Sequence, residues 1–289
     1  MPADGPGRLQ SGEPSATAMG VAMRRAAHQL FDDPKVFDDP LATRIIGEAA
    51  LERLNSEFER HQQPFNRALR AHVVARGRYA EDRLKDAHAR GVRQYLVLGA
   101  GLDTFGWRNP HPDLQVFEID HPATQAWKLE RLKASGVATP ASLAFAPVDF
   151  QTQTLAQGLA AAGVDPSRPA FVSWLGVTMY LAEAAAMRTL AELAAMPAGS
   201  EAVFDFGVPP QTLEPLARMA HAALAARVAA AGEPFLCAFD PAILPERLKA
   251  LGFSDVEILG GPDLNRLYFD GRKDGLRLAG ASRIARARV

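Results

Sequence analysis

The sequence predicts an α/β protein, a mostly parallel sheet with helices on both faces, preceded by a helical cap. Three observations predict it. From Gln94 onward, short apolar runs alternate with helical stretches, as when parallel strands are joined by crossover helices. The first run opens Val97-Leu98-Gly99-Ala100-Gly101-Leu102-Asp103-Thr104, a buried strand, a glycine turn and a helix start. The second, Phe117-Glu118-Ile119-Asp120, ends in acids.

Residues 1–16 are expected to be a flexible tail, rich in Gly and Pro and without the apolar core of a signal peptide. Residues 17–91 form the helical cap. Its first part is broken at Asp33-Pro34 and Asp39-Pro40, because the residue before proline is pushed out of the helical region. A longer helix follows over residues 65–89, carrying Leu69, Val73, Tyr79 and Leu84 and stopped at Gly91.

Residues 92–289 make the sheet domain. Tyr95-Leu96-Val97-Leu98 is a short apolar run, as in a strand covered on both faces. Further strands are predicted at 114–119, 143–148, 170–175 and 202–206, with helices at 123–134, 154–162 and 182–196. Residues 209–239 interrupt this rhythm with an alanine-rich helix over 213–231. Ligands of open α/β sheets lie beyond the carboxyl ends of the strands, so this insertion is placed to act as a lid. The alternative is extra packing without ligand contact. A helix at 242–251 closed by Gly252, a strand at 256–259 and a last strand from about Leu276 complete seven strands.

The 289 residues are 48% hydrophobic, enough to bury a sizeable core. A net charge of −1 provides no global basic field for nucleic acid or an anionic membrane. The basic cluster Arg67, Arg70, Arg76, Arg78 and Arg83 is interleaved with Glu81, Asp82 and Asp86 and reads as a solvated helix face. The late arginines Arg283, Arg286 and Arg288 are too few for nucleic acid. One cysteine, Cys237, precludes an internal disulfide and a cysteine-based zinc site, which fits a reducing cytoplasm. No apolar run reaches the roughly 20 residues of a membrane span. No metal-ligand spacing and no G-x-S-x-G elbow is present.

Gly99 and Gly101 lack the third glycine of the dinucleotide fingerprint. Asp103 stands where a helix N-terminus would receive a phosphate, and a carboxylate there repels one. A cationic, phosphate-free ligand such as S-adenosylmethionine (SAM) tolerates it. Asp103 can equally be a helix cap. Asp120, 19 residues after Gly101, is placed to accept from ribose hydroxyls, with Glu118 as the rival. Asp149 can reach an adenine amino group and Phe150 its face, or Asp149 can cap the next helix.

These residues carry a resemblance. The stretch from Gln94 to Thr104, with Trp107-Arg108, Phe117-Glu118-Ile119-Asp120-His121-Pro122 and Lys128, resembles the leucine carboxyl methyltransferase family, and more closely its bacterial branch of SAM-dependent methyltransferases. Phe37-Asp38-Asp39-Pro40-Leu41-Ala42, Ala75-Arg76, Val148-Asp149-Phe150, Gly176-Val177-Thr178-Met179-Tyr180-Leu181 and Leu251-Gly252-Phe253 extend it. The resemblance implies the Rossmann-like class I methyltransferase fold, a mostly parallel seven-stranded sheet with an N-terminal helical cap. It implies that Gly99, Ala100 and Gly101 contact the methionine part of SAM, Asp120 the ribose with His121 beside the adenosine, Asp149 and Phe150 the adenine, and Arg76 the SAM carboxylate. Arg78 is the register alternative, and Arg24 and Arg25 lie near another basic SAM contact of the family. One departure stands out: many members carry glutamate where this chain has Leu175, just before Gly176.

Methyl transfer to a carboxylate needs no general base, whereas a hydroxyl acceptor does. The candidate bases, His28, His61, His121 and His221, lie in no motif that marks a base. Tyr180 can orient an acceptor through its hydroxyl. A SAM-dependent O-methyltransferase acting on a carboxylate (or hydroxyl) of a small metabolite or peptide is therefore expected, with no nucleic-acid or membrane partner. An NAD-binding oxidoreductase and a non-catalytic SAM-binding protein are the rivals.

Overall fold

A computed structural model describes residues 14–148, 153–279, 281 and 283–289. The helices ahead of the sheet are α1 (Ala16–Phe31), α2 (Ala42–Ile45), α3 (Glu48–Ser56), α4 (Phe58–Gln62) and α5 (Pro64–Ala89). Ser15, expected in the tail, caps α1 by accepting from the Ala18 amide. Pro64 opens α5 at a position whose N–H would have no helical partner.

The sheet begins with β1 (Gln94–Leu98), then the short α6 (Phe105–Arg108), β2 (Gln115–Asp120), α7 (Pro122–Ala134), β3 (Leu143–Pro147), α8 (Leu155–Ala161) and β4 (Ala170–Trp174). It continues through α9 (Glu183–Ala194), β5 (Glu201–Phe206), the inserted helix α10 (Pro215–Ala230), α11 (Leu244–Leu251), β6 (Asp255–Gly260), α12 (Gly261–Tyr268) and β7 (Arg283–Arg288). The order across the seven strands is β3-β2-β1-β4-β5-β7-β6. The first five strands pair in parallel, whereas β7 is antiparallel to both of its neighbours.

Alternation along the strands divides the core. Tyr95 and Val97 face α5, packing with Val74, Leu84, Phe171, Val203 and Ile284. Leu96 and Leu98 face the other way, toward a cluster that includes Leu159, Leu190 and Leu248 of α8, α9 and α11. A third cluster, including Ala26, Ile45, Leu54 and Leu132, joins the cap helices to α7. Residues on both faces of β1 are buried because helices cover both.

Two expectations need correction. The strand placed from about Leu276 begins at Arg283, and residues 276–279 are irregular although Leu276 and Leu278 are buried. The five-arginine cluster is not uniformly a solvated face. Arg78 is exposed and pairs with Asp82, but Arg70 is fully buried and binds both oxygens of Asp32, at 2.7 and 2.9 Å. Among the described residues no helix is long and apolar enough to cross a membrane.

Candidate cofactor and acceptor site

The carboxyl ends of β1, β2 and β4 open into a cavity of about 470 Å³. Its floor is the glycine turn, one wall is α5, and α1 and α10 close over it. Gly99 and Gly101 adopt φ of 64° and 51°, in the left-handed region that favours glycine. A Cβ on Gly99 would stand 2.3 Å from Val177 Cγ2, so turn and β4 loop meet at a distance only glycine permits.

Asp120 holds this turn. One carboxylate oxygen accepts from the Gly101 amide and the other from the His121 amide. Burial raises its pKa against the lowering effect of those bonds. Asp120 lines the cavity, as do Gly99, Ala100, Gly101 and Asp103. Such a carboxylate, with lone pairs to spare, can accept from a vicinal diol. Glu118, the rival, does not line the cavity. It is buried against Lys128 at 2.5 Å, and burial lifts its pKa to about 7 despite that partner.

Asp103 is not a bare charge at the turn. One oxygen accepts from the Phe105 amide at 2.7 Å, a local turn just before the N-cap residue Thr104 of α6, and the other pairs with Arg25 at 2.8 Å. Burial opposes its ionisation, but the charges of Arg25, Lys128 and Arg108 hold its pKa down to about 2. The expected repulsion of a phosphate by Asp103 is therefore largely offset by Arg25, and this residue alone does not discriminate between cofactors.

Arg76, not Arg78, reaches the cavity. Its Nη1 donates to Asp205 at 2.7 Å, and its Nη2 lies 2.7 Å from where a Gly176 Cβ would be. Asp205, at the end of β5, also accepts from the Gly176 amide and lies 3.2 Å from His72 Nε2. It stays ionised well below the usual carboxylate range: burial opposes this, but Arg76 and the hydrogen bonds win. Leu175 lines the cavity as an apolar group, and the carboxylate nearest this loop comes from the neighbouring strand as Asp205. Neither Asp205 nor His72 was singled out from the sequence. The ionised Asp205 accepts only, so His72 Nε2 carries the proton and Nδ1 is left as an acceptor. That Nδ1 is buried and has no partner. Burial lowers the His72 pKa.

The histidines singled out from the sequence are engaged otherwise. His28 is fully buried; its Nδ1 donates to Asp32 while Nε2 accepts from the Val36 and Phe37 amides, pinning a cap turn. His121 lines the cavity and caps α7, its Nδ1 accepting from Ala123 at 3.3 Å. His61 and His221 do not line the cavity; burial lowers both pKa values. Tyr180 lines the cavity with its ring 5.4 Å from Phe235, and burial raises its pKa. Asp149 and Phe150 lie outside the described residues. No cluster of metal-ligating side chains occurs among the described residues.

An adenosine-bearing cofactor fits this cavity: a tight turn for close backbone approach, a carboxylate at the end of β2 and an arginine on the opposite wall. Comparison with known proteins agrees. Residues 18–194 match the family model described as leucine carboxyl methyltransferase. The chain is 32% identical to the proposed SAM-dependent methyltransferase YktD of Bacillus subtilis (strain 168), over 93% of this chain and 95% of that protein. It is 34% identical to a proposed SAM-dependent methyltransferase of Mycobacteroides abscessus, over 70% of this chain and 67% of that one. The crystal structure of a proposed methyltransferase from Thermobifida fusca YX has the same fold, with a TM-score of 0.61 at 18% identity, covering 97% of this chain and 96% of that one.

Proposed function

The chain belongs to the leucine carboxyl methyltransferase family and is a SAM-dependent methyltransferase, and from that premise we propose that it methylates an oxygen, that of a carboxylate on a small acceptor. Bound SAM supplies an electrophilic methyl group on a sulfonium. Gly99, Ala100 and Gly101 would hold its methionine part, Asp120 its ribose, His121 the edge of its adenosine and Arg76 its carboxylate. Asp205 would fix the Arg76 guanidinium, leaving Nη2 for the ligand. The enclosing α1 and α10 would exclude water and align the acceptor. Tyr180 would orient it through its hydroxyl.

One observation carries the carboxylate reading. Neither cavity-lining histidine offers a free basic nitrogen to the cavity: His121 Nδ1 accepts from the Ala123 amide, which leaves the proton on Nε2, and His72 Nδ1 is buried. A carboxylate needs no base, and a hydroxyl does. Incubation of the enzyme with methyl-labelled SAM and a panel of acids and alcohols tests this. Label that alkali releases as methanol is expected from the acids; alkali-stable label on the alcohols overturns it.

The same nitrogen favours a second reading, in which His72 turns toward the cavity and serves a hydroxyl acceptor as base. That reading requires a rate that falls as pH drops through a pKa below 6.5, the direction in which burial moves His72. A flat rate there removes it.

A further inference from the structure

The cavity runs past the glycine turn into a recess between α5 and the sheet. Gly77 and Ala80 of α5 line it on one side, Tyr95 and Val97 of β1 and Ser173 of β4 on the other. At its inner end the Tyr95 hydroxyl and Ser173 Oγ lie 2.8 Å apart, both residues buried. One O–H is spent between them, which leaves lone pairs on the two oxygens for a further donor. Ser173 stands two residues before Leu175 and on the same face of the chain, where an acid on the fourth strand would project.

The rim of the recess is charged, and its charges do not balance. Asp39, Glu81 and Asp103 share two guanidinium groups. Arg25 pairs with Asp39 at 2.7 Å and Asp103 at 2.8 Å, while Arg108 pairs with Glu81 at 2.6 Å and Asp39 at 3.3 Å. Among the described residues no other cation pairs with these acids. Lys128, whose charge also reaches Asp103, is spent on Glu118. Three carboxylates against two guanidinium groups leave the network one positive charge short, and an uncompensated buried charge is costly. Asp39 is fully buried, whereas Glu81 and Asp103 line the cavity. Burial raises the Glu81 pKa in spite of Arg108, and the charge of Asp103 adds to the rise. Burial, then the charge of Asp103, likewise raises the Tyr95 pKa, so carboxylate and hydroxyl pair act on the same recess.

Resting on the placement of the SAM carboxylate on Arg76, we propose that the α-ammonium of SAM is held by Asp103 and the Tyr95–Ser173 hydroxyl pair, which take the place of the fourth-strand acid this chain lacks at Leu175. The ammonium has three N–H donors, one for the carboxylate and the others for the two hydroxyl oxygens. It is also the cation that completes the network. Arg25, Arg108, Asp39 and Glu81 then position Asp103 rather than touch the ligand.

Calorimetry on the full chain tests this with three probes: S-adenosylhomocysteine, its analogue lacking the amine, and its analogue lacking the carboxylate. S-adenosylhomocysteine is expected to bind about tenfold more tightly than the amine-free analogue, or better, the range for hydrogen bonds to a charged group. Asp103→Asn should bring the two to within about twofold, and Ser173→Ala, which removes only a hydroxyl, should cut the preference about threefold. Neither variant should change the preference over the carboxylate-free analogue, which Arg76→Gln should abolish. Equal binding of S-adenosylhomocysteine and the amine-free analogue to wild type, or an undiminished preference in either variant, overturns the proposal. If Asp103→Asn does not fold, wild type and Ser173→Ala decide. The two readings fail separately. An amine preference that ignores Asp103, with a carboxylate preference lost in Arg76→Gln, removes the ammonium site alone. An amine preference lost in Asp103→Asn, with a carboxylate preference that survives Arg76→Gln, removes the Arg76 placement alone.

Discussion

At Asp120 a single carboxylate orders the glycine turn through two amides and faces the cavity. Asp120→Ala is expected to weaken SAM binding by roughly 1.5–3 kcal/mol, the range for hydrogen bonds to a charged group. Calorimetry measures it, and unchanged affinity would remove Asp120 from the cofactor site. The acid at the end of β2 and the glycines were legible because their meaning is local: strand, turn, strand end. Asp205 and His72 were not. They are 133 residues apart and meet only because α5 packs over the sheet near the end of β5. Equally invisible in sequence is that Arg25 takes both Asp39 and Asp103, while its neighbour Arg24 donates to the Gly20 carbonyl.

Among the elements, the insertion that carries α10 is fastened to α1. Glu233, just beyond α10, accepts from the Ala16 and Thr17 amides at 3.0 and 3.1 Å and from the Ser15 hydroxyl at 3.3 Å, closing the open N-terminus of α1. Glu233→Gln should loosen this joint by about 1–3 kcal/mol, removing a charged acceptor while keeping its shape. Faster hydrogen exchange at the Ala16 and Thr17 amides would report it; unchanged protection would show that α1 is held by packing alone. The strands whose runs are apolar on both faces were legible as elements. The last was not. Arg283-Ile284-Ala285-Arg286-Ala287-Arg288 reads as polar, yet Arg286 pairs with Asp255 and Glu257 of β6, and Arg288 with Glu201 of β5. Cross-strand ion pairs make it a strand, while Leu276 and Leu278 are apolar because they fill a loop's contact with the core. The helix α12 was hidden behind Gly260-Gly261-Pro262, which reads as a turn.

At the scale of the molecule, Asp205 is where cap and sheet are joined, binding Arg76 of α5, the β4 loop amide and His72 in a buried position. Asp205→Asn leaves the Arg76 charge uncompensated and should cost about 3–5 kcal/mol. Because its pKa is depressed in the folded state, the stability it contributes is present above the ordinary value of 3.8 and is lost as pH falls below it. Denaturant titrations should therefore show wild type losing more stability than Asp205→Asn as pH is lowered through and beneath that value; parallel losses would place the acid sensitivity elsewhere. The strand order has a consequence for synthesis on the ribosome. β6 pairs with β7 alone, and β7 also fills the edge left by β5. Until residues 283–288 emerge, the nascent chain carries an unpaired β5 edge and a stranded β6, so emergence of those residues, rather than completion of the cofactor-binding half, covers the β5 edge and gives β6 its partner.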